Sequence, residues 1–288
     1  MRRRTVIVIL IALITITLYL FWGPLFPWNP IKTGFRKIES QRATMYITEY
    51  DNENDVLWLE ELLKEEEEFH ALKFKQDFKI IVLGKDSNMK RFLPWLQGTG
   101  YSVKLGSLNV IYIGPNARKS PYGIGVYLKH EISHLLMHQH TFSHEKNMEI
   151  LKQAWLAEGV ATYFGGPHYF TKKEFVDLWN SRGLQFNSLY MENPHDMDSS
   201  IIRLKYTYYR FFIEYLVETY GMERLQVYIK SYVCNPKSYN DLFPKVYDND
   251  LDEVLQGFKA YMETPVNQIT RGYIQMKSIM MAAVAPWA

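Results

Sequence analysis

The chain has a single cysteine among its 288 residues, and the absence of a second one is the first constraint on its fold. Cys234 has no partner for a disulfide bond within the chain, so the folded state must be held by packing of its interior or by a bound metal ion. A lone thiol is more often a spectator than a nucleophile. The content of 47% hydrophobic and 15% aromatic residues excludes a disordered or collagen-like chain and indicates a globular interior rich in rings.

Once residues 1–22 are set aside, the chain also lacks a large excess of either positive or negative charge. Three of the 33 basic residues and none of the 31 acidic ones lie in residues 1–22, so the remainder has a net charge of −1. That remainder shows no cluster of Lys or Arg, no internal repeat and no low-complexity segment. We therefore expect no nucleic acid among the partners of the chain.

Charge is absent altogether from Thr5 to Trp22. At a rise of about 1.5 Å per residue, a helix of this length just crosses the hydrocarbon core of a bilayer. Three arginines precede it and favour a cytoplasmic N-terminus. The residues that follow are bulky and proline-rich, without a small-x-small cleavage site, which favours an uncleaved signal anchor over a signal peptide. A buried core helix is a third interpretation, but nothing amphipathic interrupts the run.

The domain organisation follows from this anchor. We predict a cytoplasmic stub at residues 1–4, a transmembrane signal anchor at 5–22 and a stalk at 23–41, rich in proline and polar residues. A folded domain is predicted at 42–272 and a C-terminal tail, which docks onto that domain, at 273–288. With the N-terminus in the cytoplasm, the domain lies outside it.

Within the domain, strands come first and helices follow. Strands are predicted at Thr44–Tyr50, Phe78–Leu83 and Leu108–Ile113, the last one after a glycine-rich turn. The helix predicted at Asn54–Ala71 carries the run Glu65–Glu68, which we expect to be a solvated acidic tail. Further helices are predicted at 90–96, 122–139, 147–164, 171–180, 200–220, 222–232 and 251–262. This order predicts an α+β fold of two lobes, a strand and helix lobe followed by a helical one, with the site between them.

The most informative residues are His130-Glu131-Ile132-Ser133-His134, an H-E-x-x-H pattern inside an apolar segment. On a helix the two histidines lie four residues apart on one face, so both imidazoles can reach one metal ion. Glu131 points about 100° away from His130, near enough to contact a metal-bound water without being a ligand. Two core histidines are the plainer interpretation, and a third ligand decides between the two.

Glu158 is the best candidate for the third ligand. It is the one charged residue of Trp155-Leu156-Ala157-Glu158-Gly159-Val160-Ala161, where an unpaired buried carboxylate would be costly and coordination to a dication would remove that cost. His140 is a competitor, ten residues after the first histidine as in H-E-x-x-H-x-x-G-x-x-H, but that pattern needs a glycine where this chain has Met137. We expect His140 to be a surface neighbour. Two His and one carboxylate also occur in iron sites, but the H-E-x-x-H helix favours zinc.

These two segments together resemble the gluzincin zinc metallopeptidases, and within them the peptidase-MA-like bacterial proteins whose second helix is W-L-x-E-G-x-A. The spacing in Tyr206-x-x-Tyr209-x-x-Phe212-x-x-Tyr215-Leu216-x-x-x-Tyr220-Gly221 also resembles the aromatic helix that follows in that family. The likeness covers residues 43–262, including the strand–helix–strand entry, and implies a zincin-like fold.

The resemblance also implies roles for individual residues. His130, His134 and Glu158 would bind Zn²⁺, and Glu131 would be the general base that takes the proton of a zinc-activated water. Thermolysin-like enzymes carry an Asp four residues after the ligand Glu, where it orients a zinc histidine. Thr162 stands at that position here, so the orienting group would be its hydroxyl or another residue.

The resemblance leaves the oxyanion donor and the substrate strand less fixed. The donor in gluzincins is commonly a Tyr or His of the second lobe, for which we choose Tyr206, with Tyr209 and His195 in reserve. The strand Leu108–Ile113 precedes the zinc helix, where gluzincins present an edge strand for substrate. The aminopeptidase motif G-x-M-E-N has its nearest likeness in Tyr190-Met191-Glu192-Asn193, which lies downstream and lacks the glycine, so an endopeptidase is favoured.

The sequence thus predicts a membrane-anchored zinc metalloendopeptidase that acts on peptide or protein substrates outside the cytoplasm. Two alternatives stay open. The first is a catalytically silent surface module of the same fold that binds a partner, against which the retention of Glu131 argues. The second is a zinc hydrolase of non-peptide amides or esters, since activation of water by zinc is not restricted to peptides.

Overall fold

The computed structural model describes residues 3–23, 25–48, 55–85, 100–105, 108–141, 153–184, 199–234 and 239–264. It has one apolar helix at the N-terminus, then a mixed sheet, then a mostly helical remainder. The α+β order predicted from the sequence is confirmed in outline. The predicted helix at 90–96, the tail at 273–288 and His195 lie outside the described residues.

The sheet has five strands in the spatial order β1-β2-β3-β5-β4. The three inner strands run parallel to one another, and β1 and β4 pair antiparallel at the two edges. The strands are β1 (Arg36–Glu39), β2 (Ala43–Ile47), β3 (Phe78–Val82), β4 (Gly100–Leu105) and β5 (Leu108–Ile113). The helix α2 (Asp55–His70) connects β2 to β3, as parallel neighbours require.

The inner strands β3 and β5 carry buried apolar residues on both faces, so this part of the sheet is covered on both sides. Ile80 of β3 and Ile111 of β5 lie in the main core with α2 and with α4 (Gly123–Gln139), whereas the alternate residues Ile81 and Tyr112 belong to a second cluster on the other face. The short helix α3 (Pro115–Lys119) leads from β5 into α4.

The helical remainder is built around Trp155, which is fully buried. Its ring lies 5.3–5.7 Å from the rings of Phe212, Tyr228 and Phe243. The helices are α5 (Ala154–Gly165), α6 (Lys172–Ser181), α7 (Ser199–Tyr220), α8 (Met222–Cys234), α9 (Tyr239–Tyr247) and α10 (Leu251–Glu263). Of these, α9 is the one that the sequence did not predict, since Pro244 lies inside it.

The strand β4 corrects the prediction of a glycine-rich turn before β5. Tyr101 pairs with Tyr112 and Val103 with Val110, so β4 is an edge strand and β5 an inner one. The expectation that Leu108–Ile113 is the edge strand was therefore wrong. Flanking glycines hid an alternating pattern over 101–105 that is typical of a strand.

Part of the predicted stalk belongs to the folded structure. β1 lies within residues 23–41 and pairs with β2, and Phe26 is only 5% exposed. The sheet therefore begins at Arg36, before the predicted start of the domain at residue 42.

The first helix, α1 (Arg3–Trp22), stands apart from this core. Its span Arg4–Phe21 is long and apolar enough to cross a membrane, and none of it is buried. Length and composition suit a signal anchor and a signal sequence equally.

Candidate metal centre

α4 carries its two histidines on one face. The opposite face packs into the core, where Leu128, Ile132 and Leu135 are at most 1% exposed. His130 and His134 lie one helical turn apart, and their ring centroids are 4.7 Å from each other. The helix predicted at 122–139 and the face predicted for its histidines are thus the ones observed.

Two glycines let α5 approach both of its neighbours. A Cβ atom on Gly165 would lie 2.7 Å from the backbone nitrogen of His130, and one on Gly159 would lie 2.9 Å from the carbonyl oxygen of Tyr209 in α7. Real side chains do not tolerate such distances, so α5 packs against both backbones only because these residues lack a side chain. This places Glu158 over the histidines of α4.

Three ligand atoms meet at this contact. The Nε2 atoms of His130 and His134 are 3.1 Å apart, and Glu158 Oε2 lies 3.2 Å from the first and 3.3 Å from the second. The three side chains are between 11% and 15% exposed. Among the described residues, this is the one group of His, Cys, Asp or Glu side chains that could hold a metal ion.

The spacing of these atoms fits zinc. Ligands about 2.0–2.1 Å from a tetrahedral ion are separated from each other by about 3.3 Å. The observed triangle has edges of 3.1–3.3 Å, and its atoms are two imidazole nitrogens and one carboxylate oxygen, a donor set typical of catalytic zinc. Three protein ligands leave the fourth position of a tetrahedral ion open.

The charges of the three side chains are strongly coupled. Burial alone would raise the pKa of Glu158, but His134 and His130 beside it hold that pKa far below its usual range. Burial likewise disfavours a charged His134, while Glu158 raises its pKa above the ordinary value. The carboxylate is thus ionised. A bound dication would neutralise its charge and accept the lone pairs of both imidazoles.

Glu131 lies next to the triangle without belonging to it. Its side chain is 8% exposed, and its charge acts on both His134 and Tyr206. A Cβ atom on Gly100, the first residue of β4, would lie 2.6 Å from Glu131 Oε1. The first residue of the edge strand therefore lies against the carboxylate of Glu131, and a larger residue there would displace that side chain.

Tyr206 is the predicted oxyanion donor that reaches the site. Its ring centroid is 6.3 Å from that of His130. The negative charge of Glu158, and then burial, raise the pKa of Tyr206 above its usual range, so its phenol stays protonated and can donate a hydrogen bond. The reserve Tyr209 is fully buried beside Tyr208 in the aromatic core.

Thr162 does not orient a zinc ligand in the structure. Its hydroxyl and Nδ1 of His130 are both buried, and within the described part of the chain neither has a hydrogen-bond partner. The first option considered for this position, a Thr162 hydroxyl bonded to His130, is thus not observed.

His140 is excluded from the metal site, but not because it is a surface residue. It is 8% exposed, and its Nε2 lies 2.8 Å from the carbonyl oxygen of Lys73, which binds it to the loop after α2. The structure brings Glu158, and not His140, to the two histidines, and the expected surface position of His140 was wrong.

A buried polar network behind the zinc helix was missed from the sequence. His70 Nδ1 lies 2.8 Å from the carbonyl oxygen of Glu66, and His70 Nε2 lies 2.8 Å from Ser133 Oγ. A carbonyl only accepts, so Nδ1 carries the proton, and Ser133 donates to Nε2. Burial lowers the pKa of His70 to about 4, so the imidazole is uncharged at neutral pH, and burial raises the pKa of Glu66 well above its usual value.

The same network corrects the predicted acidic tail of α2. Glu66 is fully buried, and Glu65 pairs with Lys129 of α4 at 3.2 Å. The signal was present in the spacing, because Glu66 and His70 continue the helical stripe of buried residues formed by Leu59, Leu62 and Leu63.

Comparison with known proteins is consistent with this geometry. A search of curated protein sequences finds no significant match to the chain. The family model described as the peptidase MA superfamily matches residues 61–264, a range that includes all three atoms of the metal triangle, Glu131 and Tyr206. With its two histidines and one glutamate placed to bind zinc, the chain belongs to the peptidase MA superfamily and is a zinc metallopeptidase.

Proposed function

We propose that the chain is a membrane-anchored zinc metalloendopeptidase that hydrolyses peptide bonds outside the cytoplasm. The observation that supports it most is the triangle of His130 Nε2, His134 Nε2 and Glu158 Oε2, with Glu131 beside it on the same helix. We infer two lobes, one formed by the sheet with α2 and α4 and one by α5 to α10, with the metal centre where α4 meets α5.

The chemistry divides between the ion and the side chains. Zinc, when bound by His130, His134 and Glu158, lowers the pKa of a water towards about 7 and polarises the carbonyl of the substrate. Glu131 accepts the proton that the attacking water loses and then donates it to the leaving amine. Gly100 leaves room for this carboxylate beside the edge strand, where a Cβ atom would overlap it.

Tyr206 is assigned to the developing oxyanion. Its position beside His130 and its protonated phenol supply a hydrogen-bond donor at the site. A donor that stabilises the transition state more than the substrate lowers the barrier without tightening binding. We expect Tyr206→Phe to lower kcat by about 10²-fold or more and leave KM nearly unchanged.

The edge strand β4 is the expected platform for substrate. In the described sheet β4 pairs on one side only, with β5, and its first residue contacts Glu131. An extended peptide that adds to this free edge would pass the metal triangle with its backbone held by hydrogen bonds. Such pairing selects little for side chains and needs no free terminus, which favours an endopeptidase.

Anchoring is assigned to α1. Its exposed apolar span suits a bilayer, and Arg2, Arg3 and Arg4 favour a cytoplasmic N-terminus. Alkaline carbonate extraction of membranes, followed by protease accessibility of sealed cells, tests both parts. A chain released by carbonate is not anchored, and one that is protected from external protease faces the cytoplasm.

Metal content is the first test of the site. Elemental analysis of the purified full chain is expected to find one zinc per chain in the wild type and in His140→Ala, and much less in Glu158→Gln. Digestion of casein by wild type beside Glu131→Gln then tests peptide hydrolysis. If the wild type holds no stoichiometric metal, the surface binding module becomes the better interpretation. If the chain holds zinc and cleaves esters but not peptides, the non-peptide hydrolase does.

A further inference from the structure

Residues 25–35, here called the juxtamembrane cap, cover the face of the sheet opposite α2 and α4. Phe26 is buried there against Ile81 and Tyr112, in a cluster that also contains Leu83 and Val110. The ring centroid of Phe26 lies 5.3 Å from that of Phe35, so the two ends of the cap pack against each other. The cap is therefore a folded part of the sheet layer and not a free linker.

The cap follows α1 almost directly. Only residues 23–25 separate Trp22, where the helix ends, from Phe26 on the sheet. A fully extended chain covers at most about 14 Å between these two residues. The polar headgroup layer is itself about 5–8 Å thick on each side of a bilayer, so an anchored helix holds the cap at or within reach of the headgroups.

Lysine side chains gather on this face. Lys79 Nζ donates a hydrogen bond to the carbonyl oxygen of Pro27 at 2.9 Å. Lys32 Nζ donates one to the carbonyl oxygen of Asn29 and lies 4.2 Å from the ring centroid of Tyr46. Burial lowers the pKa of Lys32 most, and the like charges of Lys79 and Lys37 add to that effect and bring it to about 8.

Little acid compensates these cations. Residues 1–38 contain no Asp or Glu, and Glu39, the first acid of the chain, pairs with Lys37. An anionic surface would relieve the repulsion among the lysines, and polybasic segments next to a membrane helix are attracted to anionic lipid for this reason.

The cap also exposes one large apolar side chain. Outside α1, the exposed large hydrophobic residues in the described part of the chain are Ile31, Tyr122 and Val227. Ile31 is 60% exposed and adjoins Lys32 in the cap. An apolar tip beside lysines is the arrangement of interfacial membrane-binding segments.

We propose that the juxtamembrane cap seats on the anionic phospholipid headgroups of the bilayer that α1 crosses, with Ile31 in the interface and Lys32, Lys37 and Lys79 towards the phosphates. This rests on the anchoring part of the proposed function. The sheet then lies on the membrane, and the metal centre beyond it is held at a fixed, short height instead of being raised on a stalk.

The test uses the full chain in lipid nanodiscs, of phosphatidylcholine alone or mixed with an equal amount of phosphatidylglycerol. A fluorophore is attached to Ile31→Cys in a Cys234→Ser background, with a headgroup nitroxide lipid as quencher. Val227→Cys is the matched control, since Val227 is 54% exposed on α8, away from the cap. We expect strong quenching at position 31 in the anionic discs, weaker quenching in the neutral ones, and little at position 227 in either.

Charge variants separate lipid binding from packing within the cap. Lys32→Gln with Lys79→Gln is expected to reduce the quenching in anionic discs to the neutral level, and Lys32→Arg with Lys79→Arg to preserve it. Equal quenching at positions 31 and 227 overturns the proposal, and so does equal quenching at position 31 in neutral and anionic discs. Neither result contradicts the assignment of α1 as a membrane anchor. A chain that does not enter the discs overturns both the anchor and the seat.

Discussion

At the scale of single residues, Glu131 carries the proposed hydrolysis and can be tested apart from the metal. Glu131→Gln keeps the shape of the side chain against Gly100 but removes the base, so we expect kcat on peptide substrates to fall by about 10²–10⁴-fold. Zinc content should stay at the wild-type level, because Glu131 is not one of the three ligand atoms. Loss of zinc, or full activity without the base, would contradict the assigned role.

Glu66 makes a second prediction at the residue scale, on pH and stability. Burial raises its pKa in the folded state above the ordinary value of 4.5, so the folded chain keeps a proton that the unfolded chain releases. The stability of the wild type relative to Glu66→Gln should therefore fall as pH rises above 4.5, by about 1.4 kcal/mol per unit until the folded pKa is reached.

Denaturant unfolding of the detergent-solubilised chain at several pH values measures this difference. Glu61→Gln, an exposed position on the same helix, is the control and should follow the wild type at every pH. Parallel curves for the wild type and Glu66→Gln would show that Glu66 is not held protonated.

At the scale of elements, the approach of α5 to α4 depends on Gly165. A Cβ atom there would lie 2.7 Å from the backbone of His130, so Gly165→Ala must push the helices apart. Such overpacking destabilises by about 1–3 kcal/mol, and here it also moves Glu158 away from the histidines. We expect a lower Tm together with a zinc affinity reduced at least tenfold, since one Å of displacement is large for a metal ligand.

Gly125→Ala on α4 is the matched control for that variant. The added Cβ would be 3.5 Å from the Trp58 ring, an ordinary contact, and alanine favours a helix over glycine. Its Tm and zinc affinity should equal or exceed those of the wild type. If Gly165→Ala bound zinc as Gly125→Ala does, the close contact between α4 and α5 would not set the geometry of the site.

The elements also show what a sequence can and cannot predict. α4 and the ligand-bearing end of α5 were predictable because His130, His134 and Glu158 are the ligand-type residues of two apolar segments, each long enough for a helix. β4 was not, since glycines around Gly100 indicate a turn while its pairing with β5 depends on long-range contacts. Glu66 was assigned to solvent by its type, although its spacing placed it on the buried stripe.

At the scale of the whole molecule, the sequence indicates an anchor, a stalk and a domain as separate segments, whereas in the structure part of the predicted stalk packs against the sheet of the domain. The stalk prediction followed from its prolines and polar residues, but Phe26 completes a cluster with Ile81 and Tyr112, residues more than fifty positions away. No local pattern reports such a contact. The second face of an inner strand needs a cover, and that requirement alone could have indicated that an upstream segment returns to the sheet.

Binding of zinc should likewise be a property of the whole molecule, because α4 and α5 meet only when the chain is folded. An ion at about 100 times its Kd stabilises the folded state by about 2.7 kcal/mol. For a chain of this size that is a change in Tm of about 5–10 °C. We therefore expect 1,10-phenanthroline to lower the Tm of the wild type by this amount in differential scanning fluorimetry.

Two variants show whether that shift comes from the triangle. Glu158→Gln weakens the site and should lose most of the chelator-induced shift. His140→Ala breaks the bond to the Lys73 carbonyl, so its Tm should fall before any chelator is added, yet the further fall on chelation should match that of the wild type. If the chelator leaves the Tm of the wild type unchanged, a bound metal ion does not stabilise the fold. The buried charge of Glu158 would then need another partner.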